Sequence, residues 1–316
     1  MNSRSHELMQ LAMSFIGSFY PSACCVSIGG SAARGTADRY SDLDLTVYNH
    51  STQICDQNIE FRHTLIQVQC SPIPRLEVVY QNPWAYRFLN EIKIIKDKNN
   101  LLSCVQSDAK KFLNSSAGQK KMIRTVQAIV QDRILATKRF FQAGRFYSAT
   151  NEAMGAWSEA AFLNLFLKEG SLSTSRVIPC IRKDQDLYRA FRTHAPLRDC
   201  EVMTDFSPIL HRLREYLRAH HVKAPFDLDP LQEKLVERKN KRFIETGDSL
   251  NLQWQMYGEA LWLFFCINDS ISFEHVYDQL PERLQKELRW IGFIPLEKDN
   301  LDGLCSLSNN IIERWV

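Results

Sequence analysis

VSIGGSAARGTADRYSDLDLTVY, residues 26–48, decides how this chain is read. A short apolar run leads into Gly29-Gly30-Ser31. A polar loop carrying Arg34 follows, and a second, alternating run opens on Asp42 and Asp44. Side chains two apart on a strand point the same way, so Asp42 and Asp44 project together while Leu43 and Leu45 point into the protein. Two neighbouring carboxylates repel unless something positive sits between them, and hard divalent cations take oxygen ligands. The glycine turn ahead of them can bring backbone N–H groups against phosphates. Together these features point to metal-assisted attack on a nucleotide phosphate.

The neighbouring motifs narrow the choice. Residues 30–36 do not form the ATP-binding loop G-x-x-x-x-G-K-[ST], because Thr36 stands where lysine is needed. No dinucleotide G-x-G-x-x-G fingerprint lies there, and no H-R-D or D-F-G set marks a kinase-like phosphotransferase. Gly30 and Ser31 are read as the cradle for β- and γ-phosphates, with Ser31 as a helix N-cap. Arg34 is read as a bidentate phosphate ligand, against the plainer reading of a surface ion pair to Asp38.

GGSAARGTADRYSDLDL resembles the signature of the polymerase-β-type nucleotidyltransferase superfamily, a Gly-Ser turn followed by an Asp-x-Asp strand. The GGSxARG and SDLDL forms are most similar to small bacterial members, among them antibiotic (aminoglycoside and lincosamide) nucleotidyltransferases. The specific part covers residues 29–45, and a looser likeness runs through NPWAYRFL (residues 82–89) to about Leu102. The resemblance implies that Asp42 and Asp44 coordinate two Mg²⁺ ions. It also implies that Gly29, Gly30, Ser31 and Arg34 hold ATP or another nucleoside triphosphate, with Ser41 orienting the adjacent aspartate. The superfamily expects a third carboxylate from a neighbouring strand. The strand LIQVQC (residues 65–70) offers Gln67 and Gln69 instead, and a glutamine is neutral and cannot act as a base. Glu77 is the nearest acidic substitute and is taken as the third catalytic residue; Glu60 is a weaker one. In the antibiotic enzymes the helical region helps bind the acceptor, so Glu152 and Glu159, seven apart on one helix face, are alternative sources of the base, with Tyr147 and Trp157 nearby. For these helical residues the plain reading is core aromatics and solvated acids, and Trp84 and Arg87 are as consistent with packing as with function.

The whole chain fits this frame. Its 316 residues allow two domains, and 45% hydrophobic with 24% charged residues is ordinary for a globular protein. A net charge of +3, from 39 basic and 36 acidic residues, gives no support for a polyanion partner. The short basic cluster Arg238, Lys239, Lys241 and Arg242 reads as a solvated helix face, and nucleic acid is not expected as a partner. Nine scattered cysteines without a C-x-x-C pair suit neither a disulfide framework nor a zinc site and point to a reducing cytoplasm. Residues 8–23 have some likeness to a secretory signal core. Leu8, Leu11, Ala12, Phe15 and Phe19 follow helical spacing, however, and a packed N-terminal helix is predicted. No apolar run reaches the roughly 20 residues a membrane helix needs.

Strands are expected at residues 23–28, 42–48, 59–62, 65–70 and 92–95, with 75–80 either strand or helical turn, 50–57 a polar stretch and 97–100 a turn. Beyond about residue 104 helical periodicity takes over. Helices are expected at 107–113, 119–142, 147–167, 184–193, 207–220, 231–245, 250–268 and 281–290. The fold class is therefore α+β: a nucleotidyltransferase domain (residues 1–104, mixed sheet with flanking helices) and an all-helical substrate-binding domain (residues 105–316). The expected function is metal-dependent transfer of a nucleoside monophosphate, AMP from ATP, to a hydroxyl of a small acceptor, with release of pyrophosphate. Two alternatives stand beside it: nucleotidylation of RNA or a protein partner, and a catalytically impaired nucleotide-binding regulator.

Overall fold

The structure, a computed structural model, describes residues 2–48, 56–197, 204–220, 228–265 and 273–316. Part of the expected polar stretch at 50–57 and the end of the helix expected at 250–268 lie outside these residues. The fold class is α+β, a mixed five-stranded sheet with helices followed by a largely helical region. Two compact units are formed. One comprises Met1–Met122, Gly170–Ser173 and Asp229–Lys239; the other comprises Ile123–Glu169, Thr174–Leu228 and Asn240–Val316.

In the first unit, α1 (Ser3–Phe19) is capped by Asn2, whose side chain accepts from the Ser5 N–H at 2.9 Å. Leu8, Ala12 and Phe15 are buried against the sheet, as the apolar spacing predicts; Ile16, outside that set, is buried with them, whereas Leu11 is half-buried and Phe19 is exposed. The chain then forms β1 (Cys25–Ile28), the short α2 (Gly30–Arg34), β2 (Leu43–Tyr48), β3 (Gln57–Phe61) and β4 (Thr64–Ser71). After these come α3 (Leu76–Gln81), β5 (Lys93–Asp97) and α4 (Leu101–Leu113). The sheet order is β3-β4-β2-β1-β5. β2 runs parallel to β4, and the other pairings are antiparallel. The segment left open between strand and helix, residues 75–80, is the helix α3.

The two faces of the sheet have different tasks. Val26, Ile28, Leu43, Leu45, Val47, Ile66 and Val68 join α1 in one core. Cys25 and Tyr48 point to the other face and pack with Leu102 of α4. Alternation therefore places Asp44 and Gln67 on the face away from α1. β3 and β4 are joined at Arg62 and His63, both at positive φ (48° and 61°), the two-residue turn whose twist matches that of a hairpin. Asp97 fixes the start of α4: its carboxylate accepts from the Leu102 and Ser103 N–H groups at 3.0 and 2.8 Å.

The second unit is helical, with α5 (Ser116–Gln142), α6 (Phe146–Glu169), α7 (Val177–Arg182), α8 (Gln185–His194), α9 (Ser207–His220), α10 (Pro230–Thr246) and α11 (Ser249–Phe265). It is completed by α12 (Phe273–Gln279), α13 (Glu282–Ile291) and α14 (Lys298–Glu313). Helices α5 and α10 each begin in residues belonging to the first unit. α14 packs against α6 and α8, burying Leu301, Leu304, Leu307, Ile311 and Ile312. Trp157 of α6 is fully buried and stacks on Phe191 of α8 with ring centroids 4.0 Å apart.

Among the described residues no helix is long and apolar enough to cross a membrane. Cys24, Cys25, Cys104, Cys180 and Cys305 are free thiols, whereas Cys70, at the end of β4, is disulfide-bonded. That bond departs from the expectation of reduced, unpaired cysteines, because spacing along a chain does not reveal which sulfurs folding brings together. Because α14 carries so much of the second unit's core, Ile311→Ala should destabilise the protein by about 2–5 kcal/mol. Urea unfolding followed by circular dichroism measures this.

Candidate functional site

The site grows from the turn between β1 and α2. The Gly29 N–H donates to the Asp44 carbonyl at 2.9 Å, closing the end of the β1–β2 ladder. Gly30 then takes φ +60°, and a Cβ there would lie 1.9 Å from Asp44 Oδ2. Glycine is needed at position 30 twice over, for the left-handed backbone and for the close approach of the carboxylate. The N-cap of α2 is Gly29, not Ser31, which lies inside the helix. The reason is the approach to Asp44: the chain must turn at Gly30, so the helix starts two residues earlier than the serine suggests.

Asp42 and Asp44 converge. Both approach the same atom of the Gln67 side chain, Asp42 Oδ2 at 3.2 Å and Asp44 Oδ1 at 3.3 Å. The parallel register of β2 and β4 pairs Asp44 directly with Gln67, which explains the meeting. Burial, with the charge of Asp42 adding to it, pushes the Asp44 carboxyl up to about 7; Lys239 and then Arg34 pull in the other direction. Lys239 lies on α10, in the segment Asp229–Lys239 that belongs to the same unit as the sheet. The same segment brings Gln232 within 3.0 Å of Gln67 and pairs Lys234 with Glu60 at 2.7 Å. The basic cluster read as a solvated face is therefore not uniform, since Lys239 acts electrostatically on Asp44. The sequence reading missed Gln232 and placed Lys239 on a solvated face. Their spacing of seven, two helical turns, was the available signal.

The other expected residues lie as follows. Arg34 is ion-paired with Glu91 at 3.0 Å, and Glu91 also accepts from the Leu172 N–H at 2.6 Å. The partner is thus Glu91 rather than Asp38. Ser41 Oγ accepts from the Asp38 N–H at 2.9 Å and so braces the loop before β2. Glu77 is exposed in the first turn of α3, and no hydrogen bond or ion pair joins it to Asp42 or Asp44 among the described residues. Gln69 is exposed. Glu60 is held by Lys234, and that hydrogen bond and charge lower its pKa. Glu152 pairs with Arg133 at 2.9 Å. Tyr147 packs with Tyr277 and Phe273 inside the second unit. Trp84 is buried, with the Arg87 guanidinium 3.9 Å from its ring centroid.

The donor set decides what the site can hold. Two converging carboxylates, bridged by the Gln67 N–H, offer hard oxygen atoms to one divalent cation such as Mg²⁺. Among the described residues no group of three or more His, Cys, Asp or Glu is arranged to hold a metal.

Comparison with models of protein families finds no match, and comparison with curated proteins finds none either. Among solved structures, the chain matches the crystal structure of a nucleotidyltransferase-like protein from Exiguobacterium sibiricum 255-15. The identity is 14% and the TM-score 0.34, over 89% of this chain and 87% of that one. The match stands as a likeness.

Two predictions follow from the geometry. With an acid whose folded pKa is raised, the native state binds the extra proton between the unfolded value and about 7, so its contribution to stability falls as pH rises through that window. Asp44→Asn removes this penalty. In chelator-treated protein it should raise the melting temperature by a few degrees at pH 8 and by less at pH 5, measured by calorimetry. Gly30→Ala should displace the Asp44 carboxylate and cost about 1–3 kcal/mol in backbone strain, which chemical denaturation would register.

Proposed function

We propose that this chain is a metal-dependent nucleotidyltransferase. It moves a nucleoside monophosphate, AMP from ATP, onto a hydroxyl of a small acceptor and releases pyrophosphate. The observation that carries the reading is the convergence of Asp42 and Asp44 on one point beside a glycine turn that only glycine can make. When bound, a divalent cation supplies charge stabilisation to the phosphates and to the attacking and leaving oxygens.

The chain's own residues would do the rest. Asp42 and Asp44 hold the cation. Backbone N–H groups at Gly30 and Ser31 face the triphosphate, because the start of α2 leaves its first donors unpaired. Arg34 and Lys239 add positive charge around Asp44, balancing the carboxylates and the incoming phosphates. The acceptor oxygen attacks the α-phosphorus, the bond to pyrophosphate breaks, and the hydroxyl proton passes to a carboxylate base, Glu77 in this reading. Gln67, a neutral amide, takes no proton.

A second reading is favoured by one observation. The residue paired with Asp44 on the neighbouring strand is the neutral Gln67, which suits a protein that binds a nucleotide without transferring it. A pyrophosphate-release assay across nucleoside triphosphates and a panel of hydroxylated compounds separates the two. Metal-dependent release is expected, and Asp42→Asn and Asp44→Asn should each lower it by about two to three orders of magnitude with circular dichroism unchanged. Unaltered turnover in Asp44→Asn overturns the assignment. Nucleotide binding without release from any acceptor supports the second reading.

A further inference from the structure

Arg34 is the last residue of α2, four after Gly30 and so on the same face of that short helix. It stands near enough to Asp44 to act on the carboxylate electrostatically. Its Nη1 donates to Glu91 Oε2 at 3.0 Å, and among the described residues this is the one ion pair of the side chain. Nε and Nη2 make no hydrogen bond to these residues, and the side chain is 21% exposed. One edge of the guanidinium, with two N–H groups side by side, is thus left to donate to a ligand.

Glu91 is placed to hold that guanidinium still. Its other oxygen, Oε1, accepts from the Leu172 N–H at 2.6 Å, so each carboxylate oxygen has a donor, one from a side chain and one from backbone. The main chain on both sides of Glu91 is pinned as well. The Glu91 and Ile92 N–H groups donate to the Phe88 carbonyl at 3.0 and 3.1 Å, and Gln106 Nε2 donates to the Leu89 and Ile92 carbonyls at 3.0 and 2.8 Å. The segment Gly170–Ser173, which supplies the Leu172 N–H, belongs to the same unit as the sheet. The end of α2, the chain leading into β5 and this segment therefore meet at one carboxylate. An arginine ordered in this way has given up its rotamer freedom on folding, so it loses less when a ligand arrives.

Building on the nucleotidyltransferase reading of this site, we propose that Glu91 is a positioning residue for the triphosphate. It fixes Arg34 through Nη1, and Nε with Nη2 then meets phosphate oxygens as a ready-made fork. Glu91 touches neither the phosphates nor the reacting atoms; it acts through Arg34. A carboxylate that competed with phosphate for the same guanidinium would do the reverse, and removing it would strengthen nucleotide binding. The sign of the effect separates the two roles.

The test uses the full chain and measures ATP binding by calorimetry, with Mg²⁺ and without acceptor. Arg34→Gln should weaken binding at least about tenfold, as the loss of charged hydrogen bonds predicts. Glu91→Gln, which matches the volume but leaves one of the two donors without an acceptor, should weaken it about three- to tenfold. Glu91→Asp keeps the charge but is one methylene too short to reach both donors, and should weaken binding comparably. In the Arg34→Gln background, Glu91→Gln should change affinity by less than about twofold, because the residue through which it acts is gone. A merely structural role for Glu91 would leave the two losses additive. Wild-type affinity or tighter binding in either Glu91 variant with native circular dichroism overturns the proposal. So does a Glu91→Gln loss that persists in full beside Arg34→Gln. If Arg34→Gln weakens ATP binding and neither Glu91 variant does, the inference on Glu91 fails and the nucleotidyltransferase reading stands. If wild type binds neither ATP nor GTP, CTP or UTP, both fall.

Discussion

Two carboxylates held against one amide are the constraint around which the first unit is arranged. Like charges this close, half-removed from water, oppose folding. The chain meets that opposition with partial protonation of Asp44, with donors from Gln67, and with the charges of Lys239 and Arg34. None of these works unless Asp44 stays where it is, and its place is set by backbone. Gly29 donates to the Asp44 carbonyl, and Gly30 leaves no Cβ in the path of its carboxylate.

The parallel pairing of β2 with β4 is the second fixed element. A parallel neighbour needs a crossover, and here β3 and the tight Arg62–His63 turn return the chain so that β4 enters beside β2. The register is enforced by burial. Leu43, Leu45, Ile66 and Val68 fill the α1-facing core, so a slip of one residue would expose them and drive Asp44 or Gln67 into apolar surroundings. The hydrophobic face therefore specifies the polar site on the opposite face, although the two share no side chain.

What could be read from the sequence follows from range. Alternation in LDLTVY, helical spacing in residues 8–19 and the interruption of periodicity at glycines are local, and they gave the sheet, α1 and most helices in nearly the observed places. The convergence of Asp42 and Asp44 was legible for the same reason. α14 was not predicted, because Gly303, Ser306, Ser308, Asn309 and Asn310 lower its helix propensity and only packing on α6 and α8 makes up for them. The pairing of Gln67 with Gln232 spans 165 residues, and no periodicity in either segment announces it. Ser31 as an N-cap failed because a tertiary contact, the approach of Asp44 to Gly30, overrode a local preference.

The placement of α10 shows why composition misjudged its basic cluster. Gln232 and Lys239 are seven residues apart, with Leu235 and Val236 buried between them. The apolar pair anchors the helix, and the two polar residues on either side are thereby directed to the same carboxylate site, one through Gln67 and one through charge. Arg238, one position away, instead reaches the His63 carbonyl at 3.5 Å, on the hairpin turn that sets β4 in place. A run of like charges on a helix is thus divided by its 100° step per residue into separate tasks. The net count of basic residues carries no information about that division; the position of each relative to Leu235 and Val236 does.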